Sequence, residues 1–230
     1  MASDVDIANL ALSRLGDAAT VASIDPPEGS AQAGHCARWF PVVRDMLLEM
    51  HAWGFATVRA SLAPLATNPA STWAYAYVVP ADCVKPWAVL ANDAPDDYSM
   101  AFPPDSGVAG FIPAVQEELM PSGVAYTPQD FAIETDTLGT RILYTNQQDA
   151  VLRYTRRITD PTRFTPLFVD AFAWLLASYL AGPIIKGDAG AAAGQKTYQM
   201  FQVALSRATE SESNARQKHV AQRVPWIAGR

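Results

Sequence analysis

The sequence predicts an α+β protein, mainly helical with an inserted β part. Three observations predict it. Toward both ends, apolar residues recur at three- and four-residue spacing, the pattern of helices with one buried face. Between Thr57 and Ile158 that period is lost, and short aromatic and β-branched runs are punctuated by Pro and Gly. Of the 230 residues, 50% are hydrophobic and 17% charged, which is enough apolar material for a substantial core. The expected organisation is a helical bundle from residues 1–56 and 159–214, with an inserted β-containing domain at 57–158. That insert carries a small sheet and a Pro-rich acidic excursion, and an extended C-terminal tail follows at 215–230.

The first helix is expected over Ser3 to Leu15. Ser3 can cap it, with Asp6 three residues on in capping-box spacing. Ile7, Leu10, Ala11 and Leu15 form its apolar stripe, and Gly16 is a natural stop. In the loop from Asp17 to Gly29, Val21, Ala22 and Ile24 suit a short extended piece before Asp25-Pro26-Pro27 turns the chain. Ser30 then caps a long stretch to Ala56, expected as the central helix. Cys36, Phe40, Val43, Leu47 and Met50 stack on one face, with Arg38, Arg44, Asp45 and Glu49 on the wetter sides. Pro41 lies inside it at a cost of about 3 kcal/mol or more. One kinked helix is expected rather than two, because the stripe keeps its phase across the proline.

In the insert, Trp73–Tyr77, Val84–Val89, Ala132–Glu134, Arg141–Tyr144 and Ala150–Tyr154 read as strands of a modest mixed or antiparallel sheet. Asn92 to Gln129 contains six prolines and little periodicity. Unstructured stretches of that length are uncommon in compact domains, so a functional or interface role is expected. Helix then returns at Thr165-Pro166, a cap followed by a first-turn proline. Leu167, Phe168, Ala171, Phe172, Leu175, Leu176, Tyr179 and Leu180 are apolar around more than half the circumference, so this helix should be buried. Gly182-Pro183 is expected to interrupt it. A last long helix should run from Asp188 to about Asn214, with Tyr198, Phe201, Leu205 and Ala208 as its stripe. The face of the central helix is expected to pack on Leu167–Leu180 and Tyr198–Ala208. In the tail, Val224, Trp226 and Ile227 on a basic background suit docking.

The net charge of −6 argues against general nucleic-acid binding, which needs a basic surface. Between Pro86 and Thr140 there are nine acids and no Lys or Arg, whereas Arg216 to Arg230 holds four bases and no acid. Complementary contacts between copies and a solvated acidic face are both consistent with this split. MASDVDIANL has no basic region leading into an apolar run, so no signal peptide is expected. Phe164 to Ile185, the longest apolar segment, is broken by Pro166, Asp170 and Pro183, and no membrane span is expected. Cys36 and Cys83 are expected as free buried thiols in a reducing cytoplasm.

Residues that carry chemistry are few. His35 and Cys36 are helix neighbours pointing about 100° apart, a poor metal or nucleophile pair. His51 suits a helix end, His219 lies in the tail, and nothing in the sequence pairs Cys83 with a histidine. Gly187–Gly194 lacks the Gly-Lys-Ser/Thr ending of a phosphate loop and reads as a helix start that admits a close neighbouring backbone. Asp96-Asp97 and Glu117-Glu118 are adjacent acids that point apart on extended chain. Arg153, Arg156 and Arg157 beside Tyr154 form a small basic patch, for which ion pairs with nearby acids are preferred over nucleic acid. No catalytic, cofactor-binding or metal-binding residue is assigned.

Several runs together carry a family resemblance. NLALSRLG (Asn9–Gly16), FPVVRDMLLEMHAWGFA (Phe40–Ala56), YAYVVPADCV (Tyr75–Val84), LRYTRRITDPTRFTPLF (Leu152–Phe168) and AFAWLLASYLAGPI (Ala171–Ile184) resemble, in order, the head-to-tail adaptors of short-tailed bacteriophages, the tail tubular protein A family. The Arg-Asp-x-Leu-Leu-x-x-His-x-Trp-x-Phe-Ala and Asp-Pro-x-x-Phe-x-Pro-x-Phe blocks are the most specific. Ala52 and Gly54 stand where the family usually has Pro and Asn. The resemblance implies a non-enzymatic structural protein of the virion tail, assembled in the host cytoplasm. It implies a ring of twelve copies between the portal and the tail nozzle, with double-stranded DNA as non-specific cargo in the channel, no cofactor and no membrane. By the same analogy Arg216, Lys218, Arg223, Val224, Trp226, Ile227 and Arg230 form a portal-docking arm. The competing expectations are a hydrolytic tail enzyme using acids of the insertion, and a DNA-binding accessory protein.

Overall fold

The structure is a computed structural model, and the residues it describes are 2–18, 20–70, 72–92 and 129–214. It is an α+β protein that divides into two compact units. One combines Met1–Phe55 with the chain from Ile158 onward, and the other is Ala56–Arg157. The acidic segment 93–128 and the tail 215–230 lie outside the described residues.

In the helical unit, α1 spans Asp4–Arg14 and opens with a full capping box. The Ser3 N–H donates to Asp6 Oδ2 at 2.9 Å, and the Asp6 N–H donates back to Ser3 Oγ at 3.1 Å. Gly16 supplies the positive φ that ends the turn. The buried face is Ile7, Ala8, Ala11 and Leu12, whereas Leu10 is exposed. The expected stripe is therefore rotated, because Leu12 takes the inward place assigned to Leu10. The Asn9 side chain then ties down the following loop, donating to the Val21 carbonyl at 2.9 Å and accepting the Val21 N–H at 2.7 Å.

Helix α2, Ala31–Met50, is capped by Ser30 and runs through Pro41 without a break. Cys36, Phe40, Val43 and Leu47 are buried as their spacing predicts, but Met50 is exposed because the helix stops there. The chain turns at His51 and tucks Trp53 into the core, where its indole N–H donates to the Leu47 carbonyl at 2.8 Å.

Helix α3, Pro166–Ile185, starts at the predicted Thr165 cap. Gly182-Pro183 does not interrupt it. The proline stands in the last turn, where only one backbone hydrogen bond is forfeited. Helices α1, α2 and α4 (Gly187–Asn214) all pack against α3, which makes α3 and not α2 the centre of the unit. The reason is circumference: α2 is apolar on one side, whereas α3 buries residues all the way round, from Phe168 to Ala181. By length and composition α3 could cross a membrane, with mean hydropathy 1.6, yet it is the helix on which the others pack.

The turn between α3 and α4 is one residue, Lys186, at φ 62° and ψ 163°, a region nearly reserved for glycine. Immediately after it, α4 lies closely along α3. A Cβ at Gly190 would come within 3.0 Å of the Ala181 carbonyl oxygen, and one at Gly194 within 3.4 Å of the Ser178 carbonyl oxygen. The glycine-rich stretch is thus the close helix approach that the sequence suggested. Thr197, Phe201, Ala204 and Ala208 form the buried stripe, while Tyr198 is exposed and Leu205 half-buried, correcting two expected positions.

The second unit contains two antiparallel sheets. Strands β1 (Thr57–Ser61), β7 (Val151–Arg156) and β4 (Cys83–Leu90) lie in the order β1-β7-β4. Strands β2 (Ala63–Pro64), β3 (Tyr75–Val78), β6 (Arg141–Thr145) and β5 (Phe131–Thr135) lie in the order β2-β3-β6-β5. The five expected runs correspond to β3 to β7. Strands β1 and β2 were not foreseen, because Thr-Val-Arg-Ala-Ser has little apolar alternation. Pro86 is tolerated because β4 is an edge strand with register shifts on either side of it. Leu62, Tyr77, Leu143 and Leu152 anchor the core of this unit.

Candidate functional site

The seven tail residues Arg216, Lys218, Arg223, Val224, Trp226, Ile227 and Arg230 lie outside the described residues. So do His219 and the acid pairs Asp96-Asp97 and Glu117-Glu118. What the structure does bring together are the two most specific sequence blocks. Trp53 and Phe55 come from the turn after α2, Phe164 from the segment leading into α3, and Phe168 from the first turn of α3. The Trp53 and Phe168 rings meet edge to face at 5.0 Å, as do Phe55 and Phe168 at 5.0 Å, and the Phe164 and Phe168 rings lie tilted at 4.8 Å. Asp160 shapes the approach by accepting the Thr162 N–H at 3.0 Å and the Thr162 hydroxyl at 2.7 Å. Edge-to-face aromatic pairs contribute about 0.5–1.5 kcal/mol beyond their burial. The residues that define the blocks therefore build one aromatic cluster, and its chemistry is packing.

Polar groups in the helical unit are paired in the same structural manner. Arg14 donates to the carbonyl and the carboxylate of Asp170 on α3, and its guanidinium lies 4.2 Å over the Trp174 ring. Burial pushes the Asp4 carboxyl above its ordinary range, against the pull of Arg44, and Asp160 and Asp25 add to the push. Cys36 is buried and its thiol is pushed up to about 11 by burial, far from a reactive thiolate. His51 occupies the C-cap of α2 and meets Trp53 edge-on at 5.1 Å, so its surroundings are those of a helix end.

In the β unit, Asp82 is the hub that sequence reasoning missed. Its Oδ1 accepts the Tyr154 hydroxyl at 3.0 Å, and its Oδ2 accepts Arg156 Nε at 2.9 Å. Its backbone carbonyl takes the Arg157 N–H at 2.8 Å. The preferred ion pair is thus present for Arg156. Arg157 lies past the end of β7, so the strand does not extend far enough to set it on one face with Arg153. Arg153 is buried on the face opposite Tyr154, in register with Arg59. On that same face Trp87 donates its indole N–H to Thr155 Oγ1 at 2.7 Å, and Lys85 stands 4.7 Å above the Trp87 ring. Cys83 is a buried free thiol, raised by burial and partly offset by Arg141, whose guanidinium also donates to the Cys83 carbonyl at 2.8 Å. The available signal for Asp82 was its place at the bend between two strand runs, where a carboxylate can reach residues of a neighbouring strand.

Burial, with the Asp82 hydrogen bond and charge adding to it, pushes the Tyr154 hydroxyl up to about 12. Between its ordinary value of about 10 and that value, the folded chain keeps a proton that the unfolded chain loses. Stability should therefore fall as pH rises through this window. Tyr154→Phe should remove that part of the slope and cost about 1 kcal/mol at neutral pH. Denaturant melts of both chains from pH 8 to beyond 11 check this, and equal slopes would refute it.

Among the described residues, no group of three or more His, Cys, Asp or Glu side chains is placed to hold a metal ion. No protein-family model matches the chain, and no curated protein matches it in sequence.

Proposed function

We propose that the chain is a structural protein of a short-tailed phage virion, a ring-forming adaptor that joins portal to tail nozzle around the DNA channel. The observation that carries this is the convergence of the two most specific blocks of the resemblance on one aromatic cluster, Trp53, Phe55, Phe164 and Phe168. More than a hundred residues apart in sequence, they act as a single packing unit. This supports an architectural role for the blocks. A ring component needs rigid surfaces more than a reactive centre, and Ser3, Arg14, Asp82 and Arg156 are engaged in caps, ion pairs and ring contacts. The net charge of −6 also suits a channel that must release DNA, since each phosphate contact adds affinity and salt dependence.

Particle mass of the purified full chain, measured with and without the portal protein of the same virus, is the test. A ring of about a dozen copies seated on portal is the expected result. Deleting Val224–Arg230 should weaken that seating while leaving the melting of the chain unchanged. Unchanged seating would remove the tail from the docking role, and a chain that never joins portal would overturn the adaptor assignment.

A further inference from the structure

One side of α4 carries a short mixed stripe. Lys196, Met200, Val203 and Arg207 follow at i, i+4, i+7 and i+11, which on an α-helix is one line along the cylinder. All four are exposed, Met200 at 41% and Val203 at 46%, and the line lies off the face that packs on α3. Two apolar side chains thus stand next to each other with a cation about one turn beyond each.

The hairpin of β5 and β6 presents an apolar tip flanked by opposite charge. Leu138 at its tip is 88% exposed, the most exposed large apolar side chain among the described residues. The tip is rigidly built. Asp136 Oδ1 accepts the N–H groups of Leu138 and Thr140, both at 2.8 Å. The Asp136 N–H donates to the Thr140 carbonyl at 2.9 Å, and Gly139, at φ +85°, donates to the Asp136 carbonyl at 3.1 Å. Turns favour small polar residues, so the turn itself gives no reason for a leucine there. Because the backbone is already locked, little ordering entropy would be lost when the tip is covered. The carboxylates of Glu134 and Asp136 belong to the same end of the hairpin, and Glu134 is exposed.

We infer that Leu138 of one copy docks between Met200 and Val203 of a second copy, with Glu134 and Asp136 facing Lys196 and Arg207. The identity of the occupant as a second copy rests on the ring proposed above. Opposite charges flanking an apolar anchor fix register and raise the rate of encounter. The contact joins two different patches, so each copy retains one unused tip or stripe and association propagates, as a ring requires.

The test uses the full-length chain with Leu138→Asp and Val203→Asp. Both positions are exposed, and unchanged far-ultraviolet circular dichroism and melting confirm folding. Wild-type mass, followed by analytical ultracentrifugation from low to high micromolar concentration, should rise with concentration. Each variant should associate more than about tenfold more weakly. An equimolar mixture of the two should form a dimer and nothing larger, because only one competent tip meets one competent stripe. Variants that associate like wild type, a mixture that stays monomeric, or a wild-type chain that is monomeric throughout would each overturn the contact. The ring itself fails differently: wild type that forms no ring with portal overturns the adaptor assignment. Rings formed on portal equally by both variants overturn only this contact.

Discussion

Leu47→Asp should leave the helical unit unfolded under conditions where the wild-type chain melts cooperatively. Leu47 is fully buried on the inward face of α2, one turn from the residues that carry Trp53. The carbonyl of Leu47 also receives the Trp53 indole N–H, so the helix end and the aromatic cluster share this position. A carboxylate placed there gains no partner, and an unpaired buried charge costs several kcal/mol against a total stability of about 5–15 kcal/mol. Leu47→Met, which nearly conserves volume, should lose under about 1.5 kcal/mol. Circular dichroism melts of the two variants separate a buried from an exposed site. A normal melt for Leu47→Asp would place the α2 stripe wrongly.

Gly190→Leu should be the second large effect, and it acts by distance rather than by charge. The first added carbon alone would stand 3.0 Å from the Ala181 carbonyl oxygen and 3.5 Å from the Gly182 Cα. Those are backbone atoms of α3, which cannot rotate away, so the two helices must separate. Overpacking of this kind costs about 1–3 kcal/mol, and the loss here should lie at the upper end because α3 is the helix on which every other helix packs. Gly194→Ala is the control. Its Cβ would meet the Ser178 carbonyl oxygen at 3.4 Å and the Ala181 Cβ at 3.6 Å, which calls for at most a small shift. The gain in helix propensity is about 1 kcal/mol, so this variant should melt at or above the wild-type temperature. Equal losses at both positions would mean that the helix spacing is not set at Gly190.

Local signals in the sequence carried most of the helical unit. Ser3, Ser30 and Thr165 each stand as the cap that their type and position predict, because capping depends on a few neighbouring residues. The α2 stripe is legible for the same reason. What escaped was rank and rotation. Periodicity alone does not say which helix lies in the middle, and α3 takes that place through burial on all sides. Leu10 and Tyr198 are apolar, fit the spacing and are exposed, because the faces of α1 and α4 are set by small residues, Ala8, Ala11, Gly190 and Ala204, that allow close approach. Pro183 reads as a break but costs one hydrogen bond at a helix end.

The β unit was legible as strands and not as sheets. Strand pairing depends on partners distant in sequence, so neither the division into two sheets nor the place of β1 beside β7 could be read from Thr57–Ser61. Asp82 shows the same limit for the candidate site. Its place at the bend between two strand runs is the one mark it carries in the sequence, and its role comes from Tyr154 and Arg156 arriving from a strand some seventy residues later. The docking residues proposed for the tail rest on composition and analogy, which position no atom.

The helical unit is assembled from both ends of the chain, and this dictates an order in time. On the ribosome α1 and α2 emerge early, with Ile7, Phe40 and Leu47 facing nothing, because α3 is their packing partner. Well over a hundred residues must be added before α3 is complete, on the order of 10 s at ~5–20 residues per second. The β unit, continuous from Ala56 to Arg157, can close during that interval. Nascent chains halted before Pro166 should therefore expose two unpaired amphipathic helices tethered to a folded β unit, and it is at that stage of synthesis that the chain is most prone to aggregation.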